Sequence, residues 1–156
     1  MALSYEIKKY GYAFPTKVLS SRVGHNLNIV LATDSPNGAV VGVGEYVSFD
    51  QYEEAEVPAG YAAKIIDKAA NGNWYVQVTG IDVNAPAVLI YETPEIAENY
   101  NSKFTSNKNF YNPAGKTVHG LVLDVLDVYE LSEELFDGTP EVGKEVTVSG
   151  RKHVVA

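Results

Sequence analysis

The sequence contains no cysteine. That removes disulfide cross-links, thiol nucleophiles and every zinc site built on thiolate, so the fold must hold by packing, with or without partner contacts. Positive charge is also scarce: 12 lysines and arginines stand against 20 acids, for a formal net charge of −8. No Lys/Arg cluster offsets this locally, and an acidic surface repels a phosphate backbone. The charge argues against nucleic-acid binding and for a basic partner surface. Long hydrophobic runs are missing too, none approaching the roughly 20 residues of a membrane-spanning helix. The start, Met1-Ala2-Leu3-Ser4-Tyr5-Glu6, lacks the basic-then-apolar order of a secretion signal. The expectation is a soluble protein made in a cytoplasm, with neither a membrane nor a nucleic-acid partner.

What is present fits one globular domain. The chain has 156 residues, 46% of them hydrophobic and 21% charged, enough to bury an apolar core unaided. Residues 1–45 are interrupted by Gly11, Pro15, Gly24, Pro36, Gly38, Gly42 and Gly44 and read as an N-terminal arm and lead-in. Residues 46–156 read as a β domain, because short strand-like runs alternate with turn signals.

The clearest hairpin is centred on Asn71-Gly72-Asn73, since Asn-Gly readily supplies the positive φ angles of a tight turn. After it, Trp74, Val76 and Val78 alternate with Tyr75, Gln77 and Thr79, the period of a strand with one buried face. The turn implies a partner strand through Lys64-Ile65-Ile66, although the Ala content of 62–70 also suits a helix. Further strands are expected at Val40–Val43, Glu45–Phe49, Ala87–Tyr91, Val118–Leu123, Val125–Leu131, Val146–Ser149 and Lys152–Val155. One short helical turn is expected, with Ser132 as N-cap, Glu133 and Glu134 at its positive end and Gly138 closing it. The fold class is therefore all-β: a small β-sandwich or partly open barrel with an extended N-terminal arm and at most one short helix.

Catalytic motifs are not found. Gly42-Val43-Gly44 has Val47 where a dinucleotide fingerprint needs its third glycine, and it leads into a strand instead of opening a helix. His25, His119 and His153 share no metal-ligand spacing and read as surface or partly buried strand residues. The acids Asp50, Glu53, Glu54 and Glu56, and again Glu130, Glu133, Glu134 and Asp137, lie in polar stretches where solvation accounts for them. Their spacing lacks the calcium-loop pattern, and no Gly-x-Ser-x-Gly elbow occurs. No residue is assigned a catalytic, cofactor-binding or metal-binding role, and a non-enzymatic protein is expected.

Aromatic usage stands out instead. The chain carries 11 Tyr, and Tyr5, Tyr10, Tyr12 and Phe14 fall within its first fourteen residues. Tyrosine suits interfaces because it brings apolar area and a hydroxyl that tolerates water. The segment is either an arm that docks on a partner or the first strand of the β domain. Arg22 and His25 are candidate contacts beside it. Between Pro94 and Gly115 the chain is polar and Asn-rich, with Tyr100, Phe104 and Tyr111 as further interface candidates. A loop of that length is usually functional.

Several later segments resemble tailed-phage head-decoration (capsid cement) proteins. They are Asn37-Gly38-Ala39-Val40-Val41 with Gly44, Tyr52-Glu53 and Pro58; Leu89-Ile90-Tyr91-Glu92-Thr93-Pro94-Glu95; Asn112-Pro113-Ala114-Gly115-Lys116 before Leu121–Asp124; and Asp127-Val128-Tyr129-Glu130-Leu131-Ser132 with Phe136, Gly138 and Val142-Gly143. The resemblance covers about residues 37–156 and leaves the arm unmatched. His119 stands where such proteins carry an arginine ahead of the strand. It implies a virion protein on the outside of an icosahedral head, made in the host cytoplasm and bound to the major capsid protein, with small homo-oligomers as a further partnership. The alternative is a carbohydrate- or receptor-binding β module of a virion, with Tyr100 and Tyr111 stacking on sugars.

Overall fold

The computed structural model describes residues 13–18, 26–47, 51–82, 84–92, 111–149 and 151–156. They form strands numbered here in chain order, and the all-β expectation holds. Five close a barrel, in the order β2 (Asn26–Val30), β4 (Gln51–Ala55), β3 (Val40–Tyr46), β7 (Ala87–Ile90) and β8 (Thr117–Val122). The other seven form one sheet. Its order is β1 (Ala13–Lys17), β9 (Val128–Leu131), β6 (Trp74–Gly80), β5 (Ala62–Lys68), β11 (Glu145–Ser149), β12 (Lys152–Val155) and β10 (Phe136–Asp137). A single 3₁₀ turn, Glu133–Leu135, separates β9 from β10.

The barrel is closed, not partly open: β2 pairs antiparallel with β8 on one side and parallel with β4 on the other. Its interior is aliphatic, built from Ile29, Leu31, Ala39, Val41, Val88, Ile90 and Val118. Strand β7 explains how the two units join. All four of its residues are buried; Val88 and Ile90 fill the barrel while Ala87 and Leu89 pack outward into the core of the sheet. A strand covered on both faces reads as an unbroken apolar run, and Ala-Val-Leu-Ile is one.

The seven-stranded sheet curls around its own core. Leu131 and Phe136 are five residues apart, a reach of about 18 Å at full extension. Yet β9 is second and β10 seventh in the sheet, about 24 Å apart if the sheet were flat. Curling brings Tyr61, Ile65, Val76, Val78, Tyr129, Leu131, Leu135, Phe136 and Val146 into one cluster.

The chain passes between units repeatedly: β1 to β2, β4 to β5, β6 to β7 and β8 to β9. Neither unit is contiguous in sequence, and the boundary drawn at residue 45 falls inside β3. Described parts of the first 45 residues supply β1, β2 and most of β3, so the lead-in belongs to the folded body.

Other local expectations are adjusted. The 69–73 hairpin has a three-residue loop, in which Gly72 N–H donates to Ala69 O at 3.0 Å and Ala69 N–H to Asn73 O at 2.7 Å. Only Gly72 takes a positive φ there, +93°, as in a type I turn followed by a left-handed glycine. The strand expected at Val125–Leu131 begins at Val128, because Val125 and Leu126 form a turn. Ser132 makes no side-chain cap, and the turn ends at Leu135, before Gly138; Leu135 and Phe136 are buried.

Candidate interaction surface

Strand β1 carries the end of the aromatic segment and lies at the outer edge of the sheet. It pairs with β9 through Ala13 opposite Leu131 and Phe14 opposite Glu130, with an irregularity before Lys17 meets Val128. Pro15 has no N–H to offer, and edge strands are where a sheet tolerates it. Ala13 is buried and Phe14 half-buried. Of the interface candidates, Tyr5, Tyr10, Tyr12, Arg22, His25, Tyr100 and Phe104 lie outside the described residues.

Tyr111 is described, and it is buried with 5% of its surface exposed. It offers little ring area to a partner, which corrects its reading as an exposed platform. Its neighbourhood shows why. Ser35 and Asn112 exchange backbone hydrogen bonds of 2.9 and 2.8 Å. The Asn112 amide donates to Asn37 Oδ1 at 3.1 Å, while Asn37 donates to Glu92 O at 2.6 Å and accepts from Glu92 N–H at 3.0 Å. Asn37 and Asn112 thus fasten both flanks of the segment 93–110. In the sequence these two asparagines stand out only as members of the segments that resemble decoration proteins.

A cleft of about 450 Å³ opens between barrel and sheet. Its floor is Val40, Val41, Ala55 and Val57, and Val148, Ser149 and Arg151 wall it from the β11–β12 hairpin. Arg151 sits in the left-handed region, φ +70°, and reaches across to the barrel. Its guanidinium donates to Thr33 Oγ1 at 3.0 and 2.7 Å and forms a two-pronged ion pair with Glu54. Glu54 also accepts from Ala32 N–H at 2.5 Å. This carboxylate is a clamp between the two units. Its neighbour Glu53 is exposed on the other face of β4, Glu56 lines the same cleft as Glu54, and Asp50 lies outside the described residues. In the second cluster Glu130 is buried while Glu133 is exposed. Gly42, rejected as a phosphate-binding glycine, allows close strand approach: a Cβ there would stand 2.4 Å from the Glu56 carbonyl.

Among the described residues no three His, Asp or Glu side chains group as metal ligands. His119 is exposed, and its Nδ1 and backbone N–H both approach Glu92 Oε1 at 2.7 Å. His153 departs from the surface reading, being fully buried. Its Nε2 lies 2.9 Å from the Tyr129 hydroxyl, which hydrogen-bonds in turn to the Tyr61 hydroxyl. Tyr129 and Phe136 pack against the imidazole, and its Nδ1 has no hydrogen-bond partner. Burial lowers the His153 pKa to about 3 and pushes both phenols above the ordinary tyrosine range. A neutral histidine sealed among aromatics has no open path to a substrate, so the chain of three is a packing element of the curled sheet.

Among the described residues, exposed large apolar side chains lie at three places. One is the end of β3, where Tyr46 is 57% exposed and stacks edge-on with Tyr52, beside Val47 at 49%. Another is Ile66 and Val142, on segments joined by the Gly143 N–H to Ile65 O bond. The third is the turn between β8 and β9, where Val125 and Leu126 are 45% and 69% exposed. No family model, curated protein or solved structure matches the chain.

Proposed function

We propose that this protein is a virion structural protein that decorates and stabilises the outside of an icosahedral phage head by binding the major capsid protein. The observation that carries the reading is the edge position of β1. The stretch with Tyr5, Tyr10 and Tyr12 joins the folded body at the outermost strand, through Ala13 and Phe14. A segment attached at a sheet edge can add strands or aromatic anchors to a neighbour without disturbing its own core. The negative net charge and the exposed apolar residues support the same reading, and a cement protein needs interface area, not chemistry. Small homo-oligomers on the head belong to the proposal, as does a site of action on the capsid exterior.

The experiment is whether the protein co-purifies with virus particles in fixed stoichiometry, and whether deleting residues 2–12 ends that. The deletion stops before Ala13 because β1 pairs with β9. A folded truncated protein that still fills heads to the same occupancy would refute the docking arm. The carbohydrate-binding alternative loses Tyr111 as a platform, keeps Tyr100, which lies outside the described residues, and can add the exposed Tyr46. Selective glycan binding abolished by Tyr46→Ala would favour it.

A further inference from the structure

Leu126 combines two costs. Its φ is +77°, a left-handed conformation that a bulky residue rarely adopts, and 69% of its surface faces solvent. The turn's backbone does not need a leucine. Asp127 N–H donates to Asp124 O at 3.1 Å, which puts Leu126 at the third position of the turn, the one type II turns usually give to glycine. A glycine there would relieve the strain and keep every backbone bond, so the side chain itself invites an account.

The turn is also rigidly held. Asp127 Oδ2 accepts from Asp124 N–H at 2.8 Å, and Asp124 Oδ1 accepts from Val125 N–H at 2.8 Å. Leu126 N–H donates to Val78 O, and Val78 N–H to Asp127 O, both at 2.9 Å. Two aliphatic side chains are thereby displayed on a preorganised tip, which lowers the entropy lost on docking. Asp124 is exposed beside them, on a chain of net charge −8. The same charge opposes a second copy as the occupant, since like surfaces repel. It favours a socket that is apolar at its base and basic at its rim.

We propose that Val125 and Leu126 are an anchor that seats this protein in an apolar socket rimmed by Lys or Arg on its assembly partner. The inference rests on the capsid-decoration reading, which puts the socket on the major capsid protein.

The test uses the full chain and phage heads lacking this protein. Wild type, Leu126→Gly and Asp124→Asn are compared by affinity for heads at low and high salt, by Tm, and by sedimentation of the free proteins. Leu126→Gly should melt at the same temperature or higher, yet bind roughly tenfold or more weakly. Wild-type affinity should fall as salt rises, and Asp124→Asn should flatten that dependence. If wild type binds heads and Leu126→Gly binds equally well, the anchor is wrong while the decoration reading stands. Wild type that fails to bind heads at all overturns the reading itself and the anchor with it. Self-association lost in Leu126→Gly, with head binding untouched, would overturn the anchor by making a second copy the occupant.

Discussion

The barrel and the curled sheet bury similar aliphatic side chains, but among the described residues only the sheet's core takes in hydrogen-bonding and titratable groups. The barrel is narrow and filled by aliphatic side chains such as Ile29, Val41, Val88 and Ile90. The sheet wraps a larger core that is also mainly aliphatic, but it admits Tyr61, Tyr129 and Phe136 and one linked polar set, Tyr61, Tyr129 and His153. An aliphatic interior has nothing to titrate. The sheet's interior does, because a buried imidazole holds off a proton that the unfolded chain accepts. Cooperativity and pH sensitivity therefore have separate origins: β7, buried on both faces, ties the units together, while buried His153 makes the shared core acid-sensitive.

Acid should give the largest effect. With its folded pKa lowered from 6.5 to about 3, His153 binds a proton in the unfolded chain before it does in the folded one. Its neutral form therefore supports the fold fully above about pH 6.5, and that support drains as pH falls toward 3, at up to about 1.4 kcal/mol per unit. Urea unfolding at pH 7, 6 and 5 should show the loss, and His153→Phe should flatten it. An equal slope in the variant would sink the assignment.

Ile90→Ala comes next, removing a fully buried side chain from the barrel at a cost of about 2–5 kcal/mol. That cost should not depend on pH, and the transition should remain single, because Leu89 and Ala87 bind the barrel to the sheet. Separate melting of two units would break the picture of one cooperative core. Tyr129→Phe should destabilise by about 1–3 kcal/mol, since it strands the Tyr61 hydroxyl and His153 Nε2 without partners. Arg151→Ala should cost the least, about 1–2 kcal/mol, by releasing the partly exposed clamp to Glu54 and Thr33. Its signature is faster hydrogen exchange at Ala32 and along the β11–β12 hairpin, with the barrel interior unchanged.

Much of the strand content was legible because period-2 alternation is local. Trp74, Val76 and Val78 faced inward as the pattern required, and Lys152–Val155 emerged with the expected bounds. Strand β1 was one of two readings of the aromatic segment, whereas β2 and β4 were missed, for different reasons. Leu27 and Ile29 do alternate with asparagines, but Gly24 and Pro36 nearby made the region read as an arm. In β4, three acids or amides in five residues hid Tyr52, whose ring packs against the barrel interior. The bracket of Asp124 and Asp127 could have signalled the turn at Val125-Leu126, since Asp side chains bind nearby backbone N–H groups. The Arg151–Glu54 clamp had no such signal: its partners are 97 residues apart.

The sequence by itself determined that this would be an all-β protein held without disulfides, acidic at its surface and rich in tyrosine at its start. Those properties follow from composition and from neighbours one or two residues apart. Only the tertiary structure decided that the strands divide between a closed barrel and a curled sheet, that β7 serves both, and that His153 is sealed inside while Leu126 is held out. Strand pairing and burial depend on which distant segments meet, and an alternating pattern fixes a strand's two faces without naming what will cover either.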